Sequence, residues 1–95
     1  MLKVRAVPTF LRAVKKLHPN QKVVLDDAVK EIVAQPGVGE EKRGDLSGVF
    51  VHKFKINAQA YLLAYELLPN KQAPEELVLL ALGSHENFYQ DLKGR

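Results

Sequence analysis

The residues best suited to chemistry lie together near the C-terminal end, in Leu82-Gly83-Ser84-His85-Glu86-Asn87-Phe88-Tyr89, where the last strongly apolar run gives way to polar, ionisable and aromatic side chains. His85 is the side chain there most able to take and give a proton near neutral pH, and Glu86, Asn87 and Tyr89 could orient it or touch a ligand. The same residues also make an ordinary turn and helix cap, since Gly followed by Ser, His, Glu and Asn after a strand serves both purposes. A second candidate group sits in Val49-Phe50-Val51-His52-Lys53-Phe54-Lys55-Ile56. Its β-branched and aromatic content predicts a strand, and strand alternation puts Lys53 and Lys55 on one face with Val49 and Val51, and Phe50, His52, Phe54 and Ile56 on the other. Two cations on one strand face can bind a phosphate; they are also what a plain solvated face contains. His52 falls on the apolar side and is expected to be a hydrogen-bonded packing residue rather than a catalyst.

The composition bounds what can position these groups. A chain of 95 residues, nearly half hydrophobic, suffices for one domain with a single core. It has no cysteine, which excludes disulfides and thiolate metal sites and fits a reducing compartment. The N-terminal segment alternates apolar and basic residues and lacks the apolar stretch of a secretory leader, and no run reaches transmembrane length. A cytoplasmic location and no membrane association are expected. The net charge of +3 permits a phosphate-rich or acidic partner without requiring one.

The remaining elements follow from periodicity. Leu2, Val4 and Ala6 alternate with Lys3 and Arg5 in a first strand ended by Pro8, after which Thr9 is a candidate cap for a short helix carrying Phe10, Ala13, Val14 and Leu17 on its apolar side. Arg12, Lys15 and Lys16 fall on the other side. His18-Pro19-Asn20 turns the chain into a second helix with a stripe of Leu25, Ala28, Val29, Ile32 and Val33, stopped by Pro36-Gly37. Residues 36–48 read as an irregular connection whose glycines lack the spacing of a phosphate loop. Ala60 to Leu68 forms the next strand, with Tyr61, Leu63, Tyr65 and Leu67 on one face and Leu62, Ala64 and Glu66 on the other. Leu77 to Leu82 is continuously apolar, as in a strand buried on both faces. Phe88 and Leu92, four apart, predict a short C-terminal helix, where they serve best as anchors to the domain. The order β-α-α-β-β-β predicts an α+β two-layer fold, with an antiparallel sheet covered on one face by a helix hairpin. The other face is expected to be open, carrying Lys53, Lys55 and Glu66 with His85 at its rim.

This order, together with several landmarks, resembles the RelE/ParE superfamily of bacterial type II toxins over almost the whole chain. The landmarks are Phe10 with Lys15-Lys16 and Leu17 in the first helix, Gly44-Asp45-Leu46-Ser47-Gly48 before the second strand, Leu62 to Tyr65 in the third, and Leu82-Gly83-Ser84-His85 leading to Phe88-Tyr89. The Gly-x-His-x-x-Phe spacing at Gly83, His85 and Phe88 is most similar to the YafQ branch, whose histidine at this point is catalytic. The resemblance implies a ribosome-dependent mRNA endoribonuclease, in which the ribose 2′-hydroxyl of mRNA in the ribosomal A site attacks the adjacent phosphate without a metal or other cofactor. It implies His85 as acid or base, Lys53 and Lys55 as phosphate cations, Glu66 as a partner of those lysines or the base, and Arg43 as a further cation from the loop. Tyr89 or Phe88 would stack on a base. An acidic antitoxin encoded beside the gene is the implied partner. The same fold also serves DNA gyrase poisons that act by protein binding, and a non-toxic binding module is a third reading. One departure is marked: where many RelE-like nucleases carry strand arginines, this chain has Leu62 and His85, and no arginine stands between Arg43 and Arg95.

Overall fold

The computed structural model describes residues 2–84 and Phe88. The elements run β1 (Lys3–Ala6), α1 (Pro8–Lys15), α2 (Pro19–Ala34), a 3-10 turn at Pro36–Val38, β2 (Glu40–Glu41), a second 3-10 turn at Gly44–Leu46, β3 (Phe50–Ile56), β4 (Gln59–Leu68) and β5 (Glu76–Ser84). The predicted order and the two-layer α+β architecture hold. The predicted C-terminal helix falls outside the described residues except for Phe88. Among the described residues, no helix is long and apolar enough to cross a membrane.

The sheet differs from the expected antiparallel one in two respects. Its strand order is β1-β5-β4-β3-β2, and β1 pairs with β5 in parallel, with Lys3 opposite Glu76 and Ala6 opposite Leu79. The helix hairpin is the crossover that carries the chain from β1 back over the sheet, and a parallel neighbour requires such a connection. The stretch read as irregular contributes the two-residue edge strand β2, which pairs with Phe50 and Val51.

Local chemistry explains the helices. Pro8 occupies the first turn of α1 behind a Val7 cap, where its missing N–H costs nothing. Thr9 is therefore not the cap; its hydroxyl accepts a hydrogen bond from Arg12 at 3.3 Å. At the start of α2, Pro19 repeats the device, and the Gln21 side chain accepts the His18 backbone N–H at 2.9 Å. Phe10 of α1 and Leu25 and Ile32 of α2 then pack on Phe50, Leu63, Tyr65, Leu67, Leu77 and Leu79 from the sheet. On the far face Val49, Val51, Leu62, Ala64, Val78, Leu80, Ala81 and Phe88 form a second buried cluster. That face is consequently not the bare surface expected from the strand pattern. A β-bulge between Ala64 and Tyr65 shifts the β4–β5 register, so β5 turns Leu77 and Leu79 to the helices before it and Leu82 after it. Both faces of β5 are thereby apolar, which accounts for its unbroken run.

Two buried polar side chains stand out. Tyr65, fully buried, donates its hydroxyl hydrogen to the Pro36 carbonyl at 2.7 Å and accepts the Gly39 N–H at 3.0 Å. It ties the connection after α2 to the sheet. Gly39 must lack a side chain there, because a Cβ would come within 2.7 Å of the Tyr65 hydroxyl. His52 faces the helices as predicted and is 8% exposed. It is not hydrogen-bonded through Nε2, which lies 3.7 Å from the Glu31 carboxylate of α2.

Tyr65→Phe should lower unfolding stability by about 1–3 kcal/mol, the cost of losing its hydrogen bonds to two partly buried backbone groups, as read by urea denaturation. Burial pushes the Tyr65 phenol above its ordinary value, so its contribution is complete below about pH 10 and is lost as pH rises through the raised value. The Phe variant should accordingly show a flatter stability profile above pH 10. His52→Leu, which removes a buried nitrogen without a hydrogen bond, should be neutral or stabilising by up to about 2 kcal/mol in the same measurement.

Candidate functional site

Lys53 and Lys55 are both exposed on β3, two residues apart on the face turned away from the helices. A two-residue strand repeat sets their Cα atoms about 6.5 Å apart. Their cross-strand neighbours on β4 are Leu62 and Ala60, so no carboxylate sits opposite either ammonium group. Leu62 in turn pairs with Gly83. Lys53, Leu62 and Gly83 thus form one row across three strands, spanning about 10 Å at the usual strand spacing. The row ends at the last turn of β5, from which the chain runs on to His85. His85 and Tyr89 themselves lie outside the described residues.

Three other predicted site residues are placed elsewhere. Glu66 pairs across with Val78, four residues along β4 from Leu62 and hence about 13 Å from the lysine row. It acts electrostatically on Arg5, whose guanidinium donates to Glu76 at 3.2 and 3.3 Å. The Glu76 hydrogen bond and charge, with a smaller contribution from Glu66, hold Arg5 above its ordinary value. Glu66 therefore belongs to an acidic–basic group at the opposite end of the sheet, and it neither pairs with Lys53 or Lys55 nor sits within reach as their base. Arg43 is exposed in the connection leading to β3, where the Lys42 N–H bonds the Val49 carbonyl at 2.8 Å. That anchors it at the start of β3, four to six residues and roughly 13–20 Å from the lysines. Strand alternation assigns faces but not the position along the strand at which a loop residue lands, which is why both were grouped with the lysines. Phe88 is 3% exposed, lodged in the far-face cluster beside Gly83. Its ring is in the core, the anchoring role read from its spacing, and has no open face for a base.

Arg12 had no functional assignment in the sequence, and Lys16 entered only as part of the Lys15-Lys16 landmark. Both are exposed, Arg12 in α1 and Lys16 capping its C-terminus, and they line a 230 Å³ notch with Thr9, Ala81, Gly83 and Phe88. Their i, i+4 spacing was visible, but nothing in it told that α1 lies beside the end of β5. Near the helix C-terminus two cations also offset the helix dipole. The 950 Å³ groove at the opposite end of the sheet is lined by Lys3, Glu75 and Glu76 with Leu2, Val33 and Leu68, and its carboxylates make it a poorer place for an anion. Among the described residues no group of three or more His, Cys, Asp or Glu side chains is arranged to hold a metal ion. The chemistry available at the lysine row is thus cation-assisted binding of an anion, next to the strand end that leads into the one ionisable cluster of the C-terminal segment.

Comparison with known proteins places this geometry. The toxin chain of the intact Escherichia coli RelBE toxin–antitoxin complex superposes with a TM-score of 0.69 at 16% identity, covering 90% of this chain and 99% of that one. The Mycobacterium tuberculosis RelBE2 toxin–antitoxin complex matches with a TM-score of 0.70 at 24% identity, over 88% and 98% of the two chains. A mutant of the E. coli toxin RelE in the free state gives a TM-score of 0.71 at 15% identity, over 98% and 90%. At such identities these likenesses establish the fold. No curated protein sequence matches the chain. The family model described as the ParE-like toxin of the type II bacterial toxin–antitoxin system matches residues 4–93, nearly the full length, and the chain belongs to that family of toxins.

Proposed function

We propose that this toxin is a ribosome-dependent mRNA endoribonuclease that halts translation and growth. The observation that carries the reading is the row of Lys53, Leu62 and Gly83: two exposed cations, with no carboxylate among their cross-strand neighbours on β4, stand beside the strand end that leads to His85. In the reaction the 2′-oxygen forms a bond to the adjacent phosphorus and the bond from phosphorus to the 5′-oxygen breaks, leaving a cyclic phosphate and a free 5′-hydroxyl. Lys53 and Lys55 stabilise the extra charge on the pentavalent phosphate. His85 takes the 2′ proton or supplies the proton to the leaving oxygen, and Tyr89 stacks on a neighbouring base. An acidic antitoxin that covers the same basic surface keeps the toxin silent, as the named complexes of the RelE-fold relatives support.

One observation favours a second reading. The matching family is described as ParE-like, and a gyrase poison of that kind would use the surface for protein binding without a proton-transfer residue. The two readings part on induction in growing cells. The nuclease produces new 5′ ends on translated messages alone, whereas a gyrase poison produces DNA breaks and an SOS response with message ends unchanged.

Mapping of 5′ ends in a translating extract checks the assignment. His85→Ala should reduce the rate by about 10²–10⁴, and the Lys53→Ala/Lys55→Ala pair by about 10²–10³. Glu66→Gln and Arg43→Ala should cut at close to the wild-type rate, since neither reaches the lysine row. Cleavage by His85→Ala at the wild-type rate would remove the nuclease assignment.

A further inference from the structure

We infer that Arg12 and Lys16 of α1 form a second phosphate-binding subsite, which holds the single-stranded RNA backbone on the far side of the β5 end from Lys53 and Lys55. The inference rests on the nuclease reading and extends it to the path of the RNA. The first ground is pairing. β1 accompanies β5 only as far as Leu79, and beyond that point α1 replaces a strand along the edge of β5, enclosing the 230 Å³ notch between Arg12, Lys16, Gly83 and Phe88. The second ground is charge. Two cations and no carboxylate line this notch among the described residues, and the adjoining 500 Å³ cleft, which shares Lys16, Gly83 and Phe88, adds His18 and Tyr61 and again no acid.

The third ground is alignment. Gly83 is both a wall of the notch and the end of the Lys53–Leu62–Gly83 row. The two cation pairs therefore flank one strand end. Among the described residues, the floor between them is Leu62, 3% exposed, and the buried ring of Phe88, neither of which carries a charge. A polyanion crossing this ridge is held on either side of it and left unbound at the crest, beside the strand end that leads to His85. Arg12 keeps donors free for this, since its bond to Thr9 uses one of its guanidinium nitrogens. The cleft toward Tyr61 and His18 is wide enough for the base attached to a phosphate held by Lys16, with an aromatic ring and an imidazole against which it can stack. An acidic segment of a protein partner would also meet the charges, and that occupant is the competing outcome of the test.

The test is binding of a fluorescent single-stranded RNA oligonucleotide to the purified chain, measured against salt concentration, alongside cleavage in the translating extract. The Arg12→Ala/Lys16→Ala pair is compared with Lys3→Ala/Lys30→Ala, which removes the same charge from exposed positions elsewhere on the molecule. The first pair should weaken binding at least about tenfold and lower the slope of log affinity against log salt by about 1.4, two contacts at ~0.7 each. It should also slow cleavage, with the control pair near wild type on all three. Equal losses in both pairs, or wild-type RNA binding by the first, overturn the subsite. So does an Arg12→Ala/Lys16→Ala chain that binds RNA normally and loses only its antitoxin. A wild-type chain that cuts no translated message overturns the nuclease reading instead, and RNA binding then still decides whether the notch holds a phosphate backbone.

Discussion

The register of β4 against its two neighbours is the constraint on which the molecule depends. Strand side chains alternate with a period of two, so a slip of one residue would turn every side chain on a strand to the opposite face. The pairings of Lys53 with Leu62 and of Leu62 with Gly83 align the cations with the end of β5. The bulge after Ala64 reverses the alternation of β5, which puts Leu82 on the helix side and Gly83 on the far side with Lys53. Burial enforces this register from both faces, since Leu63 and Ala64 are wholly inaccessible on opposite sides of the same strand. Displacing either would exchange packed apolar contacts for polar ones at a cost of several kcal/mol.

The charges are sorted along the sheet by the same register. At one end Glu66, Glu75 and Glu76 gather around Arg5 and Lys3. At the other, Lys53, Lys55, Arg12 and Lys16 border the β5 terminus, and among the described residues no acid lines the clefts there. A net charge of +3 is modest, and spread evenly it would steer nothing. Four cations bordering one strand end of a domain 34 Å in its longest dimension make a basic pole that attracts a polyanion over about a Debye length. The family is that of toxins from toxin–antitoxin systems, and such a pole is a surface that a partner protein can cover.

What the sequence made legible follows from local periodicity. The alternation in Val49 to Ile56 turned His52 inward and Lys53 and Lys55 outward, as found, and the stripe of Leu25, Ala28 and Ile32 marked the buried face of α2. The apolar run of β5 marked a central strand. What escaped depends on contacts distant in sequence. The parallel pairing of β1 joins residues more than seventy positions apart, and nothing in Leu2 to Ala6 distinguishes it from an antiparallel edge. Glu66 and Arg43 were grouped with the lysines because they share a face or a neighbouring loop, and only the pairing shows how far along the strands they stand. The Tyr65 hydroxyl, which holds Pro36 and Gly39, looked like any aromatic on a strand's apolar face. Arg12 and Lys16 looked like a solvated helix side until α1 was found beside the unpaired end of β5.

On the nuclease reading, this basic pole promotes attack by the ribose 2′-hydroxyl on its own phosphate. The most direct measurement gives the translating extract a message carrying a single 2′-deoxynucleotide immediately 5′ of the scissile bond at a mapped site. That bond should survive while neighbouring sites are still cut and end in cyclic phosphates. Cleavage at the deoxy position at the normal rate would contradict it.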